Sequence, residues 1–132
     1  MSSELYWLTL TAAMTGLIWV PYILDRILIR GAAGAMANPS PTDKPQSSGA
    51  VRMMAAHTNA VENLVVFAPL VLTAQALNIH TATTAFACAL YFWCRLAHVA
   101  IYTAGIPVLR TLSFAGGFVA QVLLVLAIFG LR

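Results

Sequence analysis

The sequence predicts an all-α integral membrane protein, a single four-helix bundle over residues 1–132. Three observations lead there. The chain is 61% apolar and only 8% charged, with a mean hydropathy of +0.84, whereas soluble domains run nearer about a quarter charged and could not cover so much apolar side chain. Apolar runs of about 20 residues, the length a bilayer requires, recur four times. No strand alternation and no internal repeat interrupts them.

Span one is expected over Leu5–Leu28. Leu5–Leu24 carries no charge, and at 1.5 Å per residue it makes about 30 Å of helix. Trp7, Trp19 and Tyr22 suit the membrane–water interfaces, and Pro21 is expected to kink the helix. The run is expected to be retained rather than cleaved as a signal peptide, because Glu4 precedes it and its positive charges follow it. Residues 29–50, rich in Gly, Pro, Ser and Ala, read as a mobile loop outside the bilayer.

Span two is expected over Val51–Leu77, polar at first, apolar after Asn63, and kinked at Pro69. A turn at Asn78–Thr81 leads to span three, Ala82–Ala104. Cys88 and Cys94 lie six apart there, on different faces of one helix, and read as free thiols in the membrane. Gly105–Pro107 forms the next turn, and span four covers Val108–Leu131. Gly116 and Gly117 let helices approach closely, and Gln121 is placed to bond between them.

The basic residues set the orientation. Arg26, Arg30, Lys44, Arg52 and Arg110 gather on the side of the first loop, and the opposite side holds only Arg132. The first loop is therefore expected in the cytoplasm. The net charge of +3 and pI near 9.2 do not point to nucleic acid, because the seven basic residues form no stripe interleaved with aromatics. The three histidines and four acidic residues show no metal-ligand spacing such as H-E-x-x-H, so no metal is expected.

Polar residues within spans two and three mark the functional region, because ionisable groups in hydrocarbon are kept when paired, wet or functional. Arg52, Ala55, Asn59, Asn63 and Val66 share one stripe of span two, with Glu62 beside it. Cys88, Tyr91, Arg95 and Tyr102 share one stripe of span three, with His98 beside it. Glu62 lies about 15 Å deep and Arg95 about 13–14 Å deep on antiparallel neighbours, so the two are expected to pair. Asn59 is level with His98. His57 falls opposite Asn59 and is expected to make a separate contact between helices.

Three segments now resemble a known family. Arg52-Met-Met-Ala-Ala-His57-Thr-Asn59-Ala-Val-Glu62-Asn63 with Phe67, then Arg95-Leu-Ala-His98 with Tyr102, and finally Arg110-Thr111 resemble the signatures of helices two, three and four of the MAPEG superfamily, the membrane-associated proteins in eicosanoid and glutathione metabolism. The resemblance covers nearly the whole chain. It implies a homotrimer within membrane lipid and a glutathione co-substrate bound between subunits, open to the cytoplasmic side. Members act as glutathione transferases, peroxidases or isomerases on lipophilic small molecules. Carried over by position, Asn59, Glu62, Arg95, His98 and Tyr102 would line the glutathione site, with Glu62 at the amino end. Arg110 would sit by the sulfur, Thr111 would offer a hydroxyl, and Arg26 or Arg30 would supply a carboxylate contact. The Trp19-Val-Pro21-Tyr22 segment is similar to a divergent bacterial branch, which implies a bacterial inner membrane. Ala55 stands where glutathione-using members often carry an arginine. The alternative reading is therefore a non-catalytic protein whose equivalent site holds another anionic amphiphile or lipid.

Overall fold

The computed structural model describes residues 1–131; Arg132, the one basic residue assigned to the far side, lies outside them. Five helices follow in order: α1 (Ser3–Leu17), α2 (Trp19–Met36), α3 (Ser48–Ala76), α4 (Ala82–Ala104) and α5 (Pro107–Ile128). Four helical segments have the length and composition to cross a membrane, with α1 and α2 together forming the first.

The break between α1 and α2 at Ile18 has a local cause. Pro21 has no N–H to offer the Leu17 carbonyl four residues back, and its ring crowds that carbonyl. The helix then continues beyond Leu28, where the sequence predicted a loop, to Met36. Ala32, Ala33 and Ala35 favour that extension. Gly31, at φ 72° and ψ 169°, kinks it there, in a backbone region open essentially to glycine alone.

Beyond Met36 the connection is tied back by side chains. Arg30 Nη1 donates to Asp43 Oδ2 at 3.0 Å and Arg30 Nε to the Lys44 carbonyl at 2.8 Å. Arg26 Nε donates to Gln46 Oε1 at 3.0 Å. Asp25 Oδ2 accepts from the Ser47 backbone N–H at 3.2 Å, and Ser47 in turn caps α3 by accepting from the Ala50 N–H. Pro69 lies within α3 without ending it. Thr81 and Thr84 cap α4 reciprocally. Gly105, left-handed at φ 81°, ends α4, and Pro107 opens α5 where no N–H is needed.

α4 is the hub, touching α1, α3 and α5. Phe67 and Val71 of α3, Ala87, Cys88 and Tyr91 of α4, and Ala120 and Leu124 of α5 form the buried core. The Phe67 ring stacks on Tyr91 with centroids 3.7 Å apart and planes 8° from parallel. Both cysteines are free. α5 lies close against α4 through its glycines: a Cβ on Gly116 would stand 2.6 Å from Cys94 Sγ. Outside this core, Val61, Val65, Leu72, Phe86, Trp93, Leu112 and Phe118 are exposed, as expected of a surface that lipid or further protein covers.

The end of the bundle near the chain termini is latched by a cluster that sequence alone did not disclose. Glu4 is 3% exposed. Its Oε1 accepts from Thr84 Oγ1 at 2.6 Å, and its Oε2 lies 3.2 Å from His80 Nδ1. Beside it, Ser2 Oγ donates to Gln75 Oε1 at 2.8 Å. These contacts fix α1 to the α3–α4 turn.

Candidate functional site

The polar residues of α3, α4 and α5 gather in the half of the bundle nearer the first loop. Arg95, one turn beyond the stacked Tyr91, is 1% exposed. Its Nη2 donates to Asn59 Oδ1 at 2.5 Å, and its guanidinium carbon lies 5.9 Å from the Phe114 ring centre. Asn63 supports Asn59 from the next turn, its Nδ2 donating to the Asn59 carbonyl at 2.9 Å. Gln121 of α5 donates to the Asn63 carbonyl at 3.3 Å, an interhelical bond of the kind expected from its position.

One turn further along α4, His98 is 2% exposed. Its ring meets Tyr102 edge-on at 5.5 Å and Phe114 at 6.2 Å. Arg110, in the first turn of α5, lays its guanidinium over the Tyr102 ring, 4.4 Å from the centroid, a cation–π contact. Arg110 is half-buried at the rim of this group while Arg95 is sealed within. The α4–α5 turn thus brings two guanidiniums, an imidazole and a phenol along one face, with Phe114 between Arg95 and His98.

Of the residues singled out by sequence, Asn59, Arg95, His98, Tyr102 and Arg110 form one continuous group. Glu62 does not join it. It is exposed, and the ion pairs among the described residues are Arg30–Asp43 and His80–Glu4. The expected Glu62–Arg95 pair is therefore replaced by Asn59–Arg95. The physical reason is helical phase: three residues advance a helix by about 300°, so with Asn59 facing α4, Glu62 is swung about 60° toward the outside. Thr111 is also exposed, and its hydroxyl donates back to the Pro107 carbonyl at 3.1 Å.

The other polar residues make structural contacts. Arg52 Nε donates to the Thr103 carbonyl at 2.9 Å, satisfying the last turn of α4. His57 Nδ1 lies 2.8 Å from the Tyr22 hydroxyl, joining α3 to α2 away from Asn59. Arg26 and Arg30 serve the connection after α2. Among the described residues no cluster of His, Cys, Asp and Glu is suited to hold a metal ion. Phe114 and Gly117 belong to the site by contact, but neither carries a polar group that would have marked it in the sequence.

Comparison with known proteins gives one result. No curated protein matches the chain, and no solved structure does. The MAPEG family matches over residues 5–130, which takes in α2 to α5, all of α1 but its first two residues, and every residue of the site. With four segments of membrane-spanning length and a match over nearly its full length, the chain belongs to the MAPEG family, as a multi-pass membrane protein of the superfamily named for eicosanoid and glutathione metabolism.

Proposed function

We propose that this protein is a homotrimeric, glutathione-dependent transferase or peroxidase for lipophilic electrophiles, with its first loop on the cytoplasmic side of a bacterial inner membrane. The observation that carries this reading is a separation of charge. Arg110 stands at a half-buried aromatic rim, while Glu62, midway along α3 (Ser48–Ala76), is exposed and unpaired among the described residues. A carboxylate at that depth does not face hydrocarbon. It needs protein or a polar ligand against it, and a second copy of the chain packed on α3 supplies both a cover and a cleft.

The residues present suit glutathione. Its two carboxylates call for cations and its ammonium for an anion. Arg110 answers the first need, with the Tyr102 hydroxyl beside it as a neutral hydrogen-bond donor, and Glu62 answers the second. Tyr102 holds the Arg110 guanidinium in place. A guanidinium beside the sulfur favours thiolate over thiol, with the proton released to solvent. The thiolate sulfur then forms a bond to the electrophilic carbon, and the leaving group departs with the electron pair of the bond that breaks. The apolar outer surface lets such acceptors arrive from the lipid.

The test is glutathione titration of the detergent-solubilised protein by calorimetry, with thiolate absorbance in parallel and native mass spectrometry for assembly state. The expected result is saturable binding to a trimer with a thiolate signal. In Arg110→Ala the signal should vanish while the trimer persists, and Glu62→Gln should weaken glutathione binding without loss of helix. Equal loss of trimer and thiolate in Arg110→Ala would make Arg110 a structural residue. No binding at millimolar glutathione, together with a co-purified anionic lipid, would overturn the glutathione reading in favour of an amphiphile-binding protein.

A further inference from the structure

A polar cavity of about 350 Å3 lies between α2, the connection that follows it and α3. Arg26, Arg30, Ser40, Asp43, Gln46 and Met54 line it, and it shares no residue with the group on α3, α4 and α5. Small-molecule sites occupy about 300–1,000 Å3. Arg26 and Arg30 stand one turn apart on α2, both half-buried, in a spacing at which like charges repel.

One carboxylate answers these two cations. Asp43 pairs with Arg30 at 3.0 Å. Asp25, beside Arg26 in the chain, accepts instead from the Ser47 N–H and the Gln46 amide, and it forms no ion pair among the described residues. Arg26 is left with a neutral amide oxygen at Nε and a thioether sulfur, a weak acceptor, 3.7 Å from Nη2. Nη1 of Arg26 and Nη2 of Arg30 have no hydrogen-bond partner among the described residues. The lining therefore carries one net positive charge, two guanidiniums against the Asp43 carboxylate.

Depth narrows what can neutralise it. The charge-free run ends at Leu24. At 1.5 Å per residue Arg26 lies about 3 Å beyond it and Arg30 about 9 Å, within and at the outer edge of the headgroup layer that flanks the hydrocarbon core. Leu24, Ile27 and Leu28 are exposed on the same stretch of helix and offer apolar surface to acyl chains.

We propose that Arg26 and Arg30, with the cavity they line, form a site for the phosphate of an anionic phospholipid. Phosphate oxygens accept charge-assisted bonds from guanidiniums, and the single negative charge of a phosphodiester cancels the net charge of the lining. Basic pockets between membrane helices hold lipid headgroups in this way. The bound headgroup fastens the connection to α2 and α3 at the membrane surface. The site does not depend on glutathione.

The experiment uses the full chain, delipidated in a neutral detergent. Phosphatidylglycerol, phosphatidylcholine with the same acyl chains, and inorganic phosphate are titrated separately, the last at constant ionic strength. The readouts are the unfolding midpoint and the lipid retained in native mass spectrometry. The wild type should show saturable stabilisation and retention by phosphatidylglycerol at concentrations where phosphatidylcholine gives little of either. Arg26→Gln should bind phosphatidylglycerol about tenfold or more weakly. Ala35→Leu keeps every charge and crowds the cavity that Ala35 lines, so it should weaken retention independently. Lys44→Gln removes the same charge from an exposed position on the connection and should leave retention intact. Equal retention of the two lipids, or equal losses in Lys44→Gln and Arg26→Gln, would reduce the effect to attraction by surface charge and overturn the proposal. A matching response to inorganic phosphate would make the ligand a soluble anion and overturn the lipid assignment. Displacement of the retained lipid by millimolar glutathione would give the arginine pair to the glutathione site and overturn it equally.

Discussion

Asn59→Ala tests the pairing on which the site is built. Arg95 is 1% exposed, and among the described residues its one hydrogen bond runs to Asn59 Oδ1 at 2.5 Å. A hydrogen bond to a charged group contributes about 1.5–3 kcal/mol net, and stranding a buried charge costs about 3–5 kcal/mol. The rest of the Arg95 environment, including the Phe114 ring, survives the substitution. A loss near the overlap of those ranges, about 3 kcal/mol, is therefore expected, roughly a hundredfold in the unfolding equilibrium. The assay is a double-mutant cycle with Arg95→Met, followed by reversible denaturant unfolding in micelles of one composition. Once the guanidinium is gone, Asn59 has nothing to satisfy, so Asn59→Ala in the Arg95→Met background should cost less than about 1 kcal/mol, a coupling of about 2 kcal/mol. Costs that simply add would show that the two side chains do not depend on each other. Running Glu62→Ala against Arg95→Met in the same cycle should give no coupling; a large one would restore the ion pair that helical phase argues against.

Three further outcomes follow from the packing. Phe67→Ala removes the ring stacked on Tyr91 and opens the core between α3 and α4, so stability should fall by about 3–5 kcal/mol in the same unfolding assay. Gly116→Ala drives a methyl to within 2.6 Å of Cys94 Sγ and should cost about 1–3 kcal/mol; Cys94→Ala in the same chain should recover most of it, and failure to recover would mean that backbone strain sets the cost. Thr84→Val takes the 2.6 Å hydroxyl donor from buried Glu4, for about 1–3 kcal/mol, and should raise hydrogen exchange in the first turns of α1 and α4 while leaving the Arg95 region protected.

Much of the fold was legible because the bilayer limits what a chain can do. The four spans, the turns at Asn78–Thr81 and Gly105–Pro107, and the polar stripes on α3 and α4 all follow from length, apolarity and helical period. The partner of Arg95 was less legible. Depth matching placed Glu62 and Arg95 at one level, and opposite charge then made the pair attractive, but rise along an axis says nothing of rotation about it. The same stripes had set Asn59 on the facing side and Glu62 beside it, and rotation decided the contact. Glu4, Thr84 and His80 were opaque for another reason. Glu4 lies 80 residues from Thr84, and nothing local marks them as neighbours. Residues 29–50 read as an open loop because Gly, Pro and Ser dominate them; the few residues that tie the segment down, Arg30, Asp43, Gln46 and Ser47, are a minority in its composition.

The burial of Arg95 also bears on how the chain enters a membrane. α4 carries a charge near its middle and hides it by lying against α3 and α5. Inserted alone, such a helix faces a penalty of about 2.5–3.5 kcal/mol for the arginine. α5 follows after only Gly105 and Ile106 and has Arg110 as its sole charged residue. Gly116 and Gly117 let it close tightly on the α4 face that bears Cys94 and Arg95. The two helices are thus built to partition as a hairpin, with the more apolar helix of the pair carrying the other in, so that the arginine is shielded before it ever meets lipid.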